Sequence, residues 1–441
     1  MIPLTDNLDW KNLSDFGLDG NFQDLSLIAN TRIEKLKLDD NKNLLIFPHS
    51  FGDHGDDLGD NAIFSLSGNE IKTGNIMGFV GINNTQVSIK SRFAQSDGND
   101  YFLHYMLAKV FRINLVNLMH GISNENIFDF LIYLFPYFLG KALSQGLFKK
   151  YQRFEHNDAN IKGPIDIARH IQRNIPFRGT VAYNTREHSY DNDVTQLIRH
   201  TIEYIRTKET GQLVLQNDSD TQSNVSQIVF ATPTYSQNQR QQIINKNLRP
   251  LNHPYFTEYT DLQKLCLQIL RQDELKFGEE KDKVYGVLFD GAWLWEEYLF
   301  TILEEKGFSH PQNKIGAGAI RMFEKGEQFD NNSRKLYPDF YKKKDDKYDY
   351  ILDAKYKHLN GGVGREDLYQ VVTYMYCTEA KQGGFVYPSI DDKNCSTPEY
   401  QLCGYKGTIK VIPVFIPQEA NDWNDFRNKM EESEKILRFE K

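Results

Sequence analysis

The period of the apolar positions changes several times along the chain. Over residues 43–93, short apolar runs separated by turn residues predict a small β domain. Over residues 101–147, apolar positions recur at helical spacing and predict helices. These patterns indicate a β-rich segment at residues 1–100, followed by a mainly helical segment at residues 101–278.

The middle and C-terminal parts alternate between helical and extended patterns. DNDVTQLIRHTIEYIRTKE has the spacing of an amphipathic helix, whereas the Gln- and Ser-rich stretch 216–227 is predicted to be a loop. Charge and glycine near Gly278 suggest a boundary. The run VLFDGAWLWEEYLFTILEEKGF is predicted to be one amphipathic helix. Strands in IGAGAIRMF, GGFVYPS and IKVIPVFIP, with helices in REDLYQVVTYMYCTEA and from about Trp423, predict an α/β domain at residues 279–441.

Composition limits the classes of function. The chain has 441 residues, of which 40% are hydrophobic, so it has enough apolar material for two or three domain cores. Its formal net charge is −8. Coating nucleic acid nonspecifically requires concentrated Lys and Arg, so any DNA contact is expected to be local or shared with a partner.

The cysteines and the apolar runs indicate in which cellular compartment the protein is expected. Four cysteines occur without a CxxC pair, which favours reduced thiols. An iron-sulfur cluster on Cys266, Cys377, Cys395 and Cys403 is disfavoured by their long, irregular gaps. The most apolar stretch, IFDFLIYLFPYFLGKAL, is interrupted by charges and a proline, which predicts a buried helical hairpin and not a membrane span. We therefore expect a cytoplasmic protein without a membrane partner.

Candidate chemistry lies in LYPDFYKKKDDKYDYILDAKYK, two apolar runs joined by a charged turn. Side chains alternate along a strand, so Asp353 and Lys355 share one face. Asp339, on the preceding strand, is expected to reach the same face across the hairpin. Two neighbouring carboxylates repel each other unless a cation lies between them, and Mg²⁺ prefers oxygen ligands. The lysine can orient a water nucleophile or stabilise the transition state.

The spacing of these residues forms a PD-(D/E)XK pattern, with Pro-Asp at 338–339 and Asp-Ala-Lys at 353–355. Upstream, Glu296 and Glu297 offer a further carboxylate, with Glu296 aligned better. A solvent-facing acid pair on an amphipathic helix explains these two glutamates equally well. A solvated strand face is likewise the ordinary alternative for the hairpin.

The downstream helix carries a second polar motif. Gln370 and Tyr374 lie four residues apart on one helical face, as in a QxxxY motif. Such a pair is also common in ordinary helices.

Together these residues resemble the McrC family, the nuclease subunits of McrBC-type (5-methylcytosine) modification-dependent restriction systems. The resemblance is carried by LFDGAWLWEEYL, YPDF, ILDAKYK and DLYQVVTYM, and more weakly by SIKSRF and KGPIDIARHI. It implies a PD-(D/E)XK restriction-endonuclease-like domain at residues 279–441, with a mixed sheet flanked by helices, after an N-terminal β plus helical adaptor region. It also implies a Mg²⁺-dependent endonuclease, with Mn²⁺ as a substitute. The implied partners are modified double-stranded DNA and a McrB-like AAA+ GTPase hexamer. Residues 1–100 would dock onto this hexamer.

Residue roles also follow from the resemblance. Asp339 and Asp353 would bind the metal, with Glu296 as a further or water-mediated ligand. Lys355 would position or activate the attacking water, and Gln370 would support the site. The expected DNA contacts are Lys342, Lys357 and Tyr374. For the lysines, including Lys343 and Lys344, a solvated turn is the competing interpretation.

Alternatives from other classes stay open. The chain has no GxxxxGK[ST] loop, so it is not expected to bind nucleotide alone. It is either a nuclease subunit, a non-catalytic adaptor that stimulates an NTPase, or a stand-alone repair nuclease. In SIKSRF, Lys90 and Arg92 either bind phosphate or a partner, or protect an exposed sheet edge.

Overall fold

The structure is a computed structural model of the chain. It describes residues 2–17, 22–38, 43–48, 62–82, 85–95, 100–111, 127–208, 211–216, 218–277, 284–311, 319–323, 335–359, 362–391, 397–404 and 406–439. The chain forms two compact units, one made of Met1–Glu125 with Glu279–Lys441 and the other of Asn126–Gly278. This grouping differs from the three predicted segments, because a strand that follows Gly278 pairs with strands of the N-terminal segment.

The N-terminal part of the first unit consists mainly of short strands. The elements are β1 (Ile2–Thr5), β2 (Lys11–Asn12), α1 (Phe22–Ser26), α2 (Ile33–Leu38), β3 (Asn43–Phe47), β4 (Phe64–Ser67), β5 (Glu70–Thr73), β6 (Ile76–Ile82), β7 (Thr85–Lys90) and α3 (Tyr101–Phe111). In β7, every second residue is buried, at Thr85, Val87 and Ile89. Period-two alternation of this kind is typical of a strand with one face on a core.

The second unit, Asn126–Gly278, is helical apart from one hairpin. Its elements are α4 (Ile127–Ser144), β8 (Lys150–Asp158), α5 (Ile167–Asn174), β9 (Val181–Ser189), α6 (Asp193–Arg206), α7 (Gly211–Leu215), α8 (Ser219–Ala231), α9 (Arg240–Lys246) and α10 (Glu258–Phe277). Strands β8 and β9 pair antiparallel. The patterns of the middle segment did not predict this hairpin.

Two predictions for this unit are wrong. The apolar stretch predicted as a helical hairpin is one helix, α4, with Pro136 inside it. Burial on both sides of Pro136, at Phe135 and Phe138, offsets the hydrogen bond that proline removes. The stretch 216–227, predicted to be a loop, contains most of α8. Asp218 caps this helix by accepting from Thr221 N at 2.7 Å, and its polar side chains cover an apolar stripe.

The C-terminal part returns to the first unit. Its elements are β10 (Val284–Asp290), α11 (Gly291–Leu303), β11 (Phe308–Ser309), β12 (Ile320–Arg321), β13 (Lys335–Leu336), β14 (Phe340–Lys344), β15 (Lys347–Ala354), α12 (Arg365–Thr378), β16 (Gln382–Ser389), β17 (Glu399–Gln401), β18 (Thr408–Phe415) and α13 (Trp423–Ser433). The run predicted to be one long helix is strand β10 followed by α11. Part of IGAGAIRMF, residues 315–318, lies outside the described residues.

Two larger sheets organise the first unit. One has the order β1-β7-β6-β10-β3, with β10 antiparallel to β6 and parallel to β3. The other has the order β11-β14-β15-β16-β18-β17, with a parallel centre, β15-β16-β18, and antiparallel edges. The sheets and surrounding helices confirm the mixed α/β class.

Helix α12 covers the centre of the six-stranded sheet. A Cβ atom on Gly383 of β16 would lie 2.4 Å from Met375 Sδ and 3.2 Å from Val371 Cγ1, so the helix packs closely over this glycine. Ile351, Val371 and Phe385 are buried in the same cluster. The end of β15 is therefore held between a helix and a parallel strand. No described helix is long and apolar enough to cross a membrane.

Candidate active site

The hairpin of β14 and β15 brings Asp339 and Asp353 together. The two strands pair Phe340 with Leu352, so the residue before Phe340 lies opposite the residue after Leu352. The Asp339 carboxylate accepts a hydrogen bond from Ala354 N at 2.6 Å. Asp353 is only 2% exposed. The strand register therefore creates a carboxylate pair in which Asp353 is buried and Asp339 is half-buried.

Lys355 lies beside this pair. Its backbone N–H donates to Val386 O of β16 at 2.9 Å, which continues the parallel pairing just beyond β15. Its Nζ lies 2.6 Å from Asp353 Oδ2, an oxygen to which no other described residue donates a hydrogen bond. A second ion pair joins Lys355 Nζ to Asp367 Oδ1 at 3.3 Å. The ammonium thus lies between a strand carboxylate and a helix carboxylate.

Burial shifts the pKa values of Asp339, Asp353 and Lys355. It raises the pKa of Asp339, and burial together with the charge of Asp339 raises the pKa of Asp353. Burial disfavours the charge of Lys355, but the carboxylates of Asp353, Asp339 and Asp367 outweigh it and raise the lysine pKa. These carboxylates therefore favour the ammonium form of Lys355.

The carboxylate pair fits a hard cation. Asp339 and Asp353 supply the oxygen ligands that Mg²⁺ prefers, and a cation between them would relieve their repulsion. Glu296 is half-buried in α11. Among the described residues, no three His, Cys, Asp or Glu side chains gather closely enough to hold a metal ion, so Glu296 does not complete a three-carboxylate set. The structure brings together two of the three predicted ligands.

Gln370 and Tyr374 form a support for the loop that carries Asp339. Gln370 Nε2 donates to the Tyr374 hydroxyl at 2.8 Å. That hydroxyl donates to Tyr337 O at 3.3 Å, two residues before Asp339. The predicted QxxxY pair therefore hydrogen-bonds to the backbone just before Asp339.

The predicted DNA-contacting lysines have different surroundings. Lys357 pairs with Asp367 Oδ2 at 2.7 Å. Lys342 lies 5.9 Å from the centre of the Phe308 ring, and Lys343 lies 4.6 Å from that of Tyr348. Lys344 is exposed near the turn. The β14–β15 turn thus presents a basic and aromatic surface.

The SIKSRF segment does not lie at a sheet edge, so the prediction that Lys90 and Arg92 protect an exposed edge is wrong. Strand β7 lies between β1 and β6, so it is not a sheet edge. Arg92 is paired with Asp6 at 2.5 Å, and its guanidinium carbon lies 4.8 Å from the Tyr356 ring centre. The Ser91 hydroxyl lies 2.7 Å from that of Tyr356. This segment therefore holds the residue that follows Lys355.

The sequence did not identify two residues that contact Asp339 or Lys355. Asp367, in the first turn of α12, lies three residues before Gln370, and this helical spacing was the available signal. His310 Nδ1 lies 2.6 Å from Asp339 O. No local pattern links His310 to the hairpin, since β11 and β14 meet only in the folded sheet.

The described cysteines show no cluster. Cys266 is buried, Cys377 is half-buried and Cys403 is exposed, and all three are free thiols. Cys395 lies outside the described residues.

Comparison with known proteins defines the class and then the family. A family model matches residues 71–388, more than half of the chain, and places the chain among components of restriction systems. The chain belongs to the family of McrBC 5-methylcytosine restriction system components. This membership confirms the McrC-type resemblance. Among curated proteins, no match was found.

Two solved structures from Thermococcus gammatolerans contain similar chains. The first is a refined half-complex from a tetradecameric assembly of McrB AAA+ hexamers with bound McrC; the match has a TM-score of 0.53 and 16% identity, and covers 98% of this chain and 99% of that chain. The second is a cryo-EM structure of the McrBC complex, with a TM-score of 0.33, 16% identity, and coverage of 69% and 87%. The first match shows a shared fold.

Proposed function

We propose that the chain is the DNA-cleaving subunit of a restriction complex, with a PD-(D/E)XK-type nuclease domain in residues 279–441. The observation that carries this proposal is the largely buried group of Asp339, Asp353 and Lys355 on one hairpin, in which Asp353 is 2% exposed and the other two are half-buried. Burying ionisable groups is costly, and apolar residues would stabilise these positions at least as well. A reaction site explains why the chain retains them.

The proposed reaction is hydrolysis of a DNA phosphodiester by water. Asp339 and Asp353 would hold Mg²⁺, with Mn²⁺ as a substitute. When bound, the metal supplies Lewis-acid stabilisation of the phosphate and lowers the pKa of a water. Lys355, as an ammonium, would donate hydrogen bonds to the attacking water or to a phosphate oxygen and stabilise the developing negative charge. Gln370 and Tyr374 keep the Asp339 loop in place.

Two other functions have less support. A non-catalytic adaptor has no need of the complete acid and lysine set. A stand-alone repair nuclease is disfavoured by family membership, because the family consists of restriction-system components and its model covers residues 71–388.

The partner in the proposed complex is a McrB-like AAA+ GTPase hexamer; the assembly that holds the similar chain contains McrB AAA+ hexamers. The unit Asn126–Gly278 offers a surface for it. We define the α5 surface by side chains that are 47% to 70% exposed: Ile161, Ile165, Ile167, Ile171, Ile175 and Phe177. Clustered exposed apolar residues usually mark protein interaction sites. We therefore propose partner docking at the α5 surface and not, as the sequence suggested, at residues 1–100.

The test is cleavage of methylated and unmethylated plasmid by the full chain, with the partner GTPase, GTP and Mg²⁺. Lys355→Ala is expected to lower the cleavage rate at least about 100-fold, since it removes a preorganised charge from the transition state. Lys347→Ala, an exposed lysine at the start of β15, is the matched control and should cleave normally. Equal rates for wild type and Lys355→Ala would contradict the proposal, as would wild-type cleavage that is unaffected by EDTA.

A further inference from the structure

Asp367 is placed to act on Lys355 from the start of helix α12. It is the third residue of α12, where the helix N-terminus favours a negative charge. Its Oδ1 lies 3.3 Å from Lys355 Nζ and its Oδ2 lies 2.7 Å from Lys357 Nζ. The side chains of Asp367 and Lys355 are each 17% exposed, so both are largely shielded from solvent. Asp367 therefore pairs with two lysines, one of which, Lys355, also pairs with Asp353.

The ammonium of Lys355 lies against one carboxylate oxygen of Asp353. Its Nζ is 2.6 Å from Asp353 Oδ2, and no other described residue hydrogen-bonds that oxygen. A divalent cation on Asp353 must compete with this ion pair. If Asp353 were the only partner of Lys355, releasing the ammonium would leave a largely buried charge unpaired. Asp367 supplies the alternative acceptor.

We propose that Asp367 is a positioning residue, which keeps the Lys355 ammonium beside the site while Asp353 takes a divalent cation. This inference rests on the proposed nuclease function. The inference gives the acids around Lys355 two different roles. Asp339 and Asp353 bind the cation, whereas Asp367 pairs with Lys355 and Lys357. A purely structural role for Asp367 would fix α12 to the Lys355 segment and leave cation affinity unchanged.

The experiment measures Mg²⁺ binding to the full chain by isothermal titration calorimetry, without DNA or partner. Asp367→Asn is expected to weaken Mg²⁺ binding about fivefold, the factor that corresponds to ~1 kcal/mol for one ion pair. Asp367→Glu should restore most of the affinity. Glu366→Gln removes the same charge from the neighbouring, exposed position and is expected to bind Mg²⁺ like wild type. Thermal unfolding of each variant checks that it is folded.

A double-mutant cycle distinguishes action through Lys355 from a direct effect of charge on the metal. In a Lys355→Met background, adding Asp367→Asn should leave Mg²⁺ affinity unchanged, because the competing ammonium is absent. A fivefold loss that persists in this background would overturn the inference, as would wild-type affinity in Asp367→Asn alone. If wild type itself binds no Mg²⁺, the proposed function fails and the inference fails with it. Wild-type binding that requires Asp353 but not Asp367 overturns only the inference.

Discussion

Asp353 and Asp367 are both acids beside Lys355, yet their surroundings give them opposite properties. Burial and the charge of Asp339 raise the pKa of Asp353. Asp367 is also partly buried, but hydrogen bonding and charge from Lys357 and Lys355 outweigh this and lower its pKa. At the scale of single residues, the surroundings therefore raise the pKa of an aspartate in one place and lower it in the other.

His200 provides a residue-scale prediction for pH dependence. It is fully buried, neither ring nitrogen has a hydrogen-bond partner among the described residues, and its ring centre lies 4.7 Å from that of Tyr235. Burial, with the charges of Arg240 and Arg199, lowers the pKa of His200 to about 4. The unfolded chain therefore binds more protons between pH 4 and the ordinary histidine pKa of about 6.5. Stability should be lost as pH falls through this range.

The measurement is urea unfolding at pH 7.5 and pH 5.5 for wild type and His200→Phe, a ring that cannot titrate. Between these pH values, wild type is expected to lose about 1 kcal/mol more unfolding free energy than the variant. The same pH slope in both proteins would show that His200 is protonated without cost in the folded state.

Sequence spacing identified Asp339, Asp353 and Lys355 as neighbours because a hairpin register is a local property. Asp367 and Arg92 were not identified in their present roles. Arg92 is a basic residue in a strand, and only the folded sheet shows that it pairs with Asp6 and lies over Tyr356. Partners contributed by distant elements have no signal in a single sequence.

At the scale of elements, polar capping residues set helix boundaries that the apolar pattern alone does not show. The run VLFDGAWLWEEYLFTILEEKGF begins inside β10 and continues through α11, so its pattern alone suggested one helix. Asp290 separates the two elements by capping α11. Similarly, the stretch 216–227 lacked strong apolar periodicity, but Asp218 starts α8. Strand existence and order in residues 335–415 were more predictable, since those runs are short and bounded by turn residues.

Asp290→Ala tests the capping argument. The Asp290 carboxylate accepts hydrogen bonds from Ala292 N at 2.8 Å and from Asn75 Nδ2 at 3.3 Å. Its removal leaves a helix N–H without its acceptor, so we expect a loss of about 1–2 kcal/mol in unfolding free energy, measured by urea denaturation. Asp290→Asn keeps an acceptor oxygen and should lose less. Equal losses in the two variants would contradict the capping role.

At the scale of the whole molecule, the site depends on residues from both ends of the chain. Strand β10 pairs with β3 and β6, and Arg92 donates a hydrogen bond to Tyr356 O at 3.4 Å, one residue after Lys355. Residues 279–441 therefore do not contain all the contacts that hold the proposed nuclease site. The α5 surface, in contrast, belongs to Asn126–Gly278, the other compact unit.

This division leads to a prediction about separable activities. Ile167→Glu with Ile171→Glu places two charges on the α5 surface, where both side chains are more than half exposed, so the fold should tolerate them. Docking a partner would bury these carboxylates, which is costly without a cationic partner. We therefore expect at least about tenfold weaker stimulation of the partner GTPase, consistent with the loss of a few kcal/mol at an interface.

Whether the two activities are separable is tested by comparing two variants of the full chain, one altered at the proposed metal site and one altered on the α5 surface. Asp353→Ala should abolish cleavage and preserve GTPase stimulation, because Asp353 lies in the other unit, at the proposed metal site. Gln172→Glu, an exposed polar position on α5, is the control for added charge near the α5 surface. If the two glutamates leave stimulation intact while the protein remains folded, the α5 surface does not dock the partner. If Asp353→Ala also loses stimulation, the two activities depend on one site, and the assignment of docking to a separate unit is wrong.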